Sequence, residues 1–262
     1  MILFVFEGQD DNSVMNTLAA LYPKAISEDV VCIFENNIHQ LYSKMRSSDS
    51  DLDFTESILS VLKKMPKYSN DSRIVDADED TFSQTFLFFD YEPQHHKDGE
   101  PVDLAELNKQ VDEMLQFFDD ETGNGKLYVS YPMVEALFYT KSLPDSNFYS
   151  YTVPLTSVKN FKKLTHEFMG FGSQDFLLYN CHELNGSKKE RRRTCVADNW
   201  RNVICQNVAK ANYICSGANA MPQNKSSVGQ GLILKNQLEK YVDHGCVSIL
   251  SAYPMFLFEY LK

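Results

Sequence analysis

The chain has 262 residues, of which 43% are hydrophobic and 23% are charged, a balance typical of a globular protein with a sizeable core. The net charge of −11 argues against a free-standing nucleic-acid-binding protein. No apolar run approaches the ~20 residues that span a bilayer, and no basic segment precedes the apolar start, so we expect neither a membrane span nor a signal peptide.

The six cysteines form no CxxC pair and no closely spaced framework. Such a pattern is typical of reduced thiols, and it predicts a cytoplasmic protein. The cysteines are Cys32, Cys181, Cys195, Cys205, Cys215 and Cys246.

Charge is distributed unevenly along the chain. Residues 1–124 carry 26 acids and 9 Lys or Arg residues, whereas residues 125–262 carry 10 acids and 16 Lys or Arg residues. The asymmetry has two interpretations: two differently solvated surfaces, or an acidic part that holds metal beside a basic part that meets a phosphate backbone.

Four short apolar runs predict buried strands. They are "ILFVF" (2–6), "VVCIF" (30–34), "TFLFFD" (85–90) and "KLYVSY" (126–131). Each is too short for a buried helix, and an uninterrupted apolar run suits a strand that is covered on both faces.

Helical spacing separates these runs. A helix is expected after Asn12 or Ser13, which could cap it, and Pro23 would end it. Further helices are predicted in 36–45, 54–65 and 103–118, with a polar loop over 66–80. Pro132 is expected in the first turn of a helix over 132–141.

Strands that alternate with helices predict an α/β fold with a mostly parallel sheet. We expect this domain to span residues 1–145, with a helical insertion at about 36–80, and a mostly helical region to span 146–262. The similar segments "YVSYPMVEALFY" (128–139) and "ILSAYPMFLFEY" (249–260) could be two strand-to-helix turns that lie side by side.

Acidic residues follow the predicted strands. Glu7 follows the first, Glu35 follows the second, Asp90 ends the third, and Glu135 comes one turn after the fourth. Ligands bind at the carboxyl ends of strands in such sheets. Asp90 and Glu92, two positions apart at one strand end, are expected to point the same way, and Glu7 would join them if the first strand lay beside the third. Carboxylate oxygens are the ligands that Mg²⁺ or Mn²⁺ requires, although strand ends are also charged simply because they meet solvent.

"VFEGQDD" and "LFFDYEP" resemble, in order and in strand context, the two acidic motifs of Toprim domains. Within that group the chain is most similar to small phage-defence (abortive infection) proteins of the RloB and AbiLii kind, which are relatives of the OLD-family nucleases. "SYPMVEALF" resembles their strand–Pro–helix segment, which carries a glutamate. The resemblance covers roughly residues 1–140, and Glu92 departs from it because the family pattern has a second Asp there.

The resemblance implies a nuclease that hydrolyses phosphodiester bonds with Mg²⁺ or Mn²⁺. Glu7, Asp90 and Glu92 would bind metal, and Asp11 and Glu135 would assist a second ion or its waters; Asp10 is an alternative to Asp11. It also implies a role in bacterial antiphage defence and an ATPase partner. DNA or an RNA such as tRNA could be the substrate, and the sequence leaves homo-oligomer formation open.

Two further features lie outside the acidic motifs. A basic run predicts contact with nucleic acid, or else a solvated helix face; its cations are Lys188, Lys189, Arg191, Arg192 and Arg193. His95 and His96 could steer a water or contact a phosphate, or could lie in a solvated loop. The rival to the nuclease is a non-catalytic Toprim-like module that binds a protein or acts as a sensor.

Overall fold

A computed structural model describes residues 1–26, 29–46, 54–78, 80–97, 99–101, 103–179 and 185–261. The chain divides into two compact units. The first comprises Met1–Asn12 and Glu28–Leu127, and the second comprises Ser13–Ser27 and Tyr128–Lys262.

The elements up to residue 130 alternate as predicted, with a helical stretch between the second and third strands. In chain order they are β1 (Ile2–Phe6), α1 (Gln9–Leu21), β2 (Asp29–Ile33), α2 (Ile38–Met45), α3 (Ile58–Lys63), α4 (Ser72–Val75), β3 (Gln84–Asp90), β4 (His96–Lys97), β5 (Glu100–Pro101), α5 (Leu104–Phe117), β6 (Asp119–Asp120) and β7 (Gly125–Ser130). The predicted loop over 66–80 is not irregular throughout, because it contains a 3₁₀ helix at Pro66–Tyr68 as well as α4.

The main sheet has five strands in the order β2-β1-β3-β7-β6. β1 pairs in parallel with both β2 and β3, and β6 pairs antiparallel with β7. The predicted α/β class with a mostly parallel sheet is confirmed.

β1 lies inside the sheet because its side chains are apolar on both faces. Leu3, Phe4, Val5 and Phe6 are all buried. Aromatic rings of β1 pack against aromatic rings of β3 and form a ladder between the two strands; the ring centroids of Phe4 and Phe86 are 5.5 Å apart. Burying one such ring contributes roughly 1.5–3 kcal/mol, so this ladder holds the two strands in register.

Helix α1 begins earlier than predicted, at Gln9 rather than after Asn12 or Ser13. The Asp11 carboxylate accepts a hydrogen bond from the Gly8 N–H at 3.1 Å. An acid three residues into a helix that reaches back to the preceding amide closes the first turn in this way. The helix therefore starts almost directly after β1.

Residues 146–262, which belong to the second unit, are mostly helical, as predicted. Its elements are β8 (Thr152–Pro154), α6 (Phe161–Phe168), α7 (Gly186–Ser216), α8 (Gln230–Lys240), β9 (Cys246–Ser248) and α9 (Ala252–Tyr260). β8 and β9 pair antiparallel. α7 buries Val196, Trp200 and Val203 along one face, and the Trp200 indole N–H donates to the Leu177 carbonyl at 2.9 Å.

The helix predicted over 132–141 is wrong. Met133 is extended (φ −158°, ψ 176°), so helical backbone cannot begin at Pro132, and a short 3₁₀ helix covers Val134–Phe138 instead. The two similar Tyr-Pro segments do lie side by side, because Tyr131 and Leu250 exchange two backbone hydrogen bonds, at 2.8 and 2.9 Å.

Two expectations from composition can be compared with the described residues. None of the helices in those ranges is long and apolar enough to cross a membrane. Five of the six cysteines are described, and all five are free thiols; Cys181 lies outside the described residues.

Gly170 allows a close approach of two backbone segments in the second unit. Its N–H donates to the Thr140 carbonyl at 2.9 Å, and a Cβ at this position would stand 1.7 Å from the Lys141 carbonyl oxygen. We expect Gly170→Ala to lower the free energy of unfolding by about 2 kcal/mol, because the segments must separate. Urea denaturation measures this. Gly172→Ala is the matched control, since a Cβ there has no neighbour within 4 Å; equal losses in both variants would contradict the packing argument.

Candidate functional site

The parallel pairing of β1 and β3 continues one residue beyond β1. The Glu7 N–H donates to the Phe88 carbonyl at 3.1 Å. The Glu7 side chain then turns toward the end of β3, where its Oε2 accepts a hydrogen bond from the Asp90 N–H at 2.9 Å. The predicted adjacency of the first and third strands is therefore confirmed, and Glu7 and Asp90 lie together at one edge of the sheet.

Glu7 is an acid in surroundings that disfavour its charge. The pKa of its carboxyl is raised from 4.5 to about 8. Burial is the largest cause, the hydrogen bond from the Asp90 amide acts in the opposite direction, and the negative charges of Glu92 and Asp11 add to the rise. Without a cation, Glu7 therefore holds its proton near neutral pH. A positive ion beside it would reverse that balance.

Glu92 reaches the site in a different way from the one predicted. β3 ends at Asp90, and Glu92 has a left-handed backbone with φ +50°. The alternation of side chains along a strand therefore does not extend from Asp90 to Glu92, and that step of the prediction is wrong. Glu92 is nevertheless close enough to raise the pKa of Glu7, and burial raises its own pKa as well.

Glu35, at the end of β2, shares this backbone conformation with φ +64°. Glu35 and Glu92 are the non-glycine residues with positive φ in the described part of the chain. Such a conformation costs a side chain of this size roughly 1–3 kcal/mol, whereas glycine adopts it freely. Both strained residues are acids, and both follow a strand that neighbours β1.

His39, on α2, contacts the backbone of this turn. The imidazole is buried; its Nε2 lies 3.3 Å from the Glu92 carbonyl, and its Nδ1 lies 2.9 Å from Oε1 of Gln110. Burial lowers the pKa of His39 to about 4, so the ring is neutral at physiological pH. The ring centroids of His95 and His39 are 5.0 Å apart, and Nδ1 of His95 is 2.9 Å from Nδ2 of the Asn37 side chain.

Glu135 belongs to the second unit. It is buried on the 3₁₀ helix Val134–Phe138, and its Oε1 lies 3.2 Å from the ammonium of Lys162 on α6. Its predicted role beside a second ion stays a prediction. In the structure its charge is balanced by a lysine.

The five predicted nucleic-acid-binding cations all lie in the first turns of α7, but they divide into two groups. Arg192 donates to the Asp175 and Leu178 carbonyls. Arg193 donates to the carbonyls of Ala20 and Leu21, at 3.4 and 3.0 Å, in the last turn of α1. These two guanidiniums satisfy backbone acceptors within the second unit. The other three cations, Lys188, Lys189 and Arg191, are exposed.

The acids around Glu7 fit a hard divalent cation in donor type, since carboxylate oxygens are what Mg²⁺ and Mn²⁺ prefer. They do not form a finished coordination shell. Within the described ranges, no group of three or more His, Cys, Asp or Glu side chains is arranged to hold a metal ion as it stands. The Glu7 carboxylate contacts the backbone amide of Asp90, and the negative charges of Asp11 and Glu92 act on it, so a cation here would require these carboxylates to turn toward it.

Three residues at this edge were not predicted from the sequence: Asn37, His39 and Lys67. Asn37 caps α2 and so has a readable signal, because its Oδ1 accepts from the Gln40 N–H at 3.1 Å. The contacts of His39 and Lys67 join distant parts of the chain, and no local pattern indicates them. The sequence places Glu35 after a predicted strand but indicates no role for it.

Comparisons with protein-family models, curated proteins and solved structures found no match for the chain. The resemblance to Toprim proteins therefore rests on the motifs around Glu7 and Asp90 and stays a prediction.

The raised pKa of Glu7 predicts how stability depends on pH in metal-free buffer. Between pH 4.5 and 8 the unfolded chain has lost the Glu7 proton and the folded protein keeps it, so this group makes stability fall as pH rises. Glu7→Gln keeps an acceptor for the Asp90 amide and cannot ionise. We expect the free energy of unfolding of the variant to rise relative to that of the wild type from pH 5 to pH 8.5, by at most about 4 kcal/mol.

Urea denaturation in EDTA at both pH values measures the difference. Asp112→Asn is the control, because Asp112 is an acid on α5 whose Oδ2 accepts from Gln116 on the same helix. A difference in stability between Glu7→Gln and the wild type that is the same at both pH values would contradict the raised pKa of Glu7.

The division of the α7 cations predicts different effects on stability. Arg193→Gln removes the donor to two carbonyls at the end of α1, and hydrogen bonds from charged groups contribute about 1.5–3 kcal/mol. We expect the thermal midpoint to fall for Arg193→Gln and to stay unchanged for Arg191→Gln. Calorimetry of the two variants decides; equal midpoints would show that the Arg193 contacts contribute no stability.

Proposed function

We propose that this protein is a divalent-metal-dependent nuclease, with its site at the carboxyl ends of β1 and β3. The observation that carries the proposal is the contact of Glu7 with the Asp90 amide, at a sheet edge where Asp11 and Glu92 add negative charge around a buried carboxyl. A cation stabilises negative charges that lie this close to a buried carboxyl. Mg²⁺ or Mn²⁺ satisfies that requirement with oxygen ligands.

The acids at the ends of β1 and β3 would be the metal ligands. Glu7 and Asp90 would hold the ion, with Glu92 and Asp11 supplying further oxygens. A divalent cation bound there would activate water and neutralise charge on a transferring phosphate. Glu7 would release its proton as the ion binds, so the affinity for metal should weaken as pH falls below about 8.

The remaining parts of the proposal rest on the sequence. Lys188, Lys189 and Arg191 would contact the phosphate backbone of DNA or RNA, since they are the exposed members of the basic run on α7. The resemblance to phage-defence proteins supports a role as effector of a bacterial antiphage system with an ATPase partner. The pattern of the cysteines supports a cytoplasmic location.

One observation favours a second candidate, a non-catalytic module that binds a protein or acts as a sensor. The side chains of the described residues form no ready-made group of three metal ligands. In that case the strand-end acids would be surface charge.

Cleavage assays separate the two candidates. We expect the full chain to cut plasmid, single-stranded DNA or tRNA in Mn²⁺ and not in EDTA. Glu7→Gln and Asp90→Asn should each lower the rate about 100-fold or more, since even residues that only support metal ligands cost 10–100-fold. Asp112→Asn should cleave like the wild type.

Cleavage that survives in Glu7→Gln would reject the site. No cleavage of any substrate, with or without an ATPase partner, would favour the binding module. Calorimetric titration with Mn²⁺ gives an independent answer, because the wild type should bind the ion and Glu7→Gln should not.

A further inference from the structure

A lysine lies at the strand end next to Glu7 and has no part in the site described so far. Lys67, on the 3₁₀ helix Pro66–Tyr68, places its ammonium 3.1 Å from Oε1 of Glu35. Glu35 in turn donates its backbone N–H to the Glu7 carbonyl at 2.9 Å. A cation therefore stands one strand away from the acids, in the part of the chain where acids outnumber basic residues 26 to 9.

Lys67 is held in place from two sides. Its ammonium lies 5.0 Å from the ring centroid of Tyr68. The Tyr68 hydroxyl contacts the backbone of Ile33, 2.6 Å from the nitrogen and 3.0 Å from the oxygen, so the 3₁₀ helix is fastened to the last residue of β2. The lysine is thus positioned by the sheet itself.

The backbone of Glu35 adds a second, independent observation. This residue keeps a carboxylate at a left-handed position where glycine would cost nothing. Strain that is retained in this way is typical of functional positions. Here the retained side chain is the partner of Lys67.

The separation between Lys67 and the acids suggests what the lysine would meet. Neighbouring strands are about 4.8 Å apart, so Glu35, which holds the ammonium, lies about one strand spacing from Glu7. Phosphates of one strand in a duplex follow each other about every 3.4 Å along the axis, so a cation held by Glu35 would meet a phosphate that flanks the one at the acids.

We propose that Lys67 binds a flanking phosphate of a polynucleotide, with Glu35 holding the ammonium until that phosphate replaces it. The inference rests on the proposed nuclease function and narrows its substrate class: a nucleic-acid strand several nucleotides long rather than a mononucleotide or a small diester. Lys67 is a specificity residue in this scheme, and the acids around Glu7 carry the chemistry.

The test compares a long and a short substrate in the full chain with Mn²⁺. The probes are a labelled single-stranded 20-mer and bis(p-nitrophenyl) phosphate. We expect Lys67→Gln to raise KM for the 20-mer about 5- to 10-fold without changing kcat, and to leave hydrolysis of the small diester unchanged. Glu35→Gln, which releases the lysine, should lower KM for the 20-mer. Lys64→Gln is the matched control, because Lys64 pairs with Glu56 at 2.7 Å at the end of α3; it should behave like the wild type.

A second measurement decides the role of Lys67 without activity. Fluorescence anisotropy of the labelled 20-mer in EDTA, at several salt concentrations, gives the slope of log K against log salt; losing one phosphate contact lowers that slope by about 0.7 for a single strand. A slope unchanged in Lys67→Gln, or a wild type that does not bind the 20-mer, would overturn the inference. So would an equal loss on both substrates in the cleavage assay. A wild type that binds through Lys67 but cleaves neither substrate would refute the nuclease and keep the lysine contact.

Discussion

Two backbone hydrogen bonds at the end of β1 determine the geometry of the whole candidate site. The Glu7 amide donates to Phe88 on one side, and the Glu7 carbonyl accepts from Glu35 on the other. They extend the parallel pairing of β1 by one residue beyond the strand, so the three strand ends lie level. The aromatic ladder between β1 and β3 fixes that register, because a slip of one residue would reverse which face each ring occupies.

Once Glu7 is held there, the electrostatics follow. Its carboxyl has the Asp90 amide as a donor, but one hydrogen bond does not offset burial beside Asp11 and Glu92, and its pKa rises to about 8. The left-handed backbones of Glu35 and Glu92 are unfavourable as well. Natural proteins tolerate such costs mainly where function requires the side chain, and these costs coincide at adjacent strand ends.

The sequence predicts this sheet well for a physical reason. A run such as residues 2–6, apolar on both faces, is stable only inside a covered parallel sheet, so strand type, burial and the position of Glu7 follow from local pattern. The same reasoning fails at Glu92, because the period-two rule holds only while the backbone stays extended. It also misplaces the start of α1, which depends on a hydrogen bond from Gly8 to the Asp11 side chain.

Tertiary contacts account for what no local pattern indicates. Arg192 and Arg193 belong to a run that predicts a uniform basic patch. Their guanidiniums instead donate hydrogen bonds to backbone carbonyls elsewhere in the second unit. His39 reaches Glu92 across 53 residues of chain, and Tyr68 reaches Ile33 across 35. The composition of a segment gives the number of its charges, whereas the fold determines which of them can contact a ligand.

That distinction bears on how an acidic protein could act on a polyanion. At physiological ionic strength charges are screened over about 8 Å, so a strand near Glu7 responds to the groups within that range more than to the net charge of −11. Within that range the acids would repel a phosphate unless a divalent ion neutralised them. In the proposal, Lys67 would then supply attraction for a neighbouring phosphate of the same strand. Metal and lysine would together make a local path for nucleic acid across a surface that otherwise repels it.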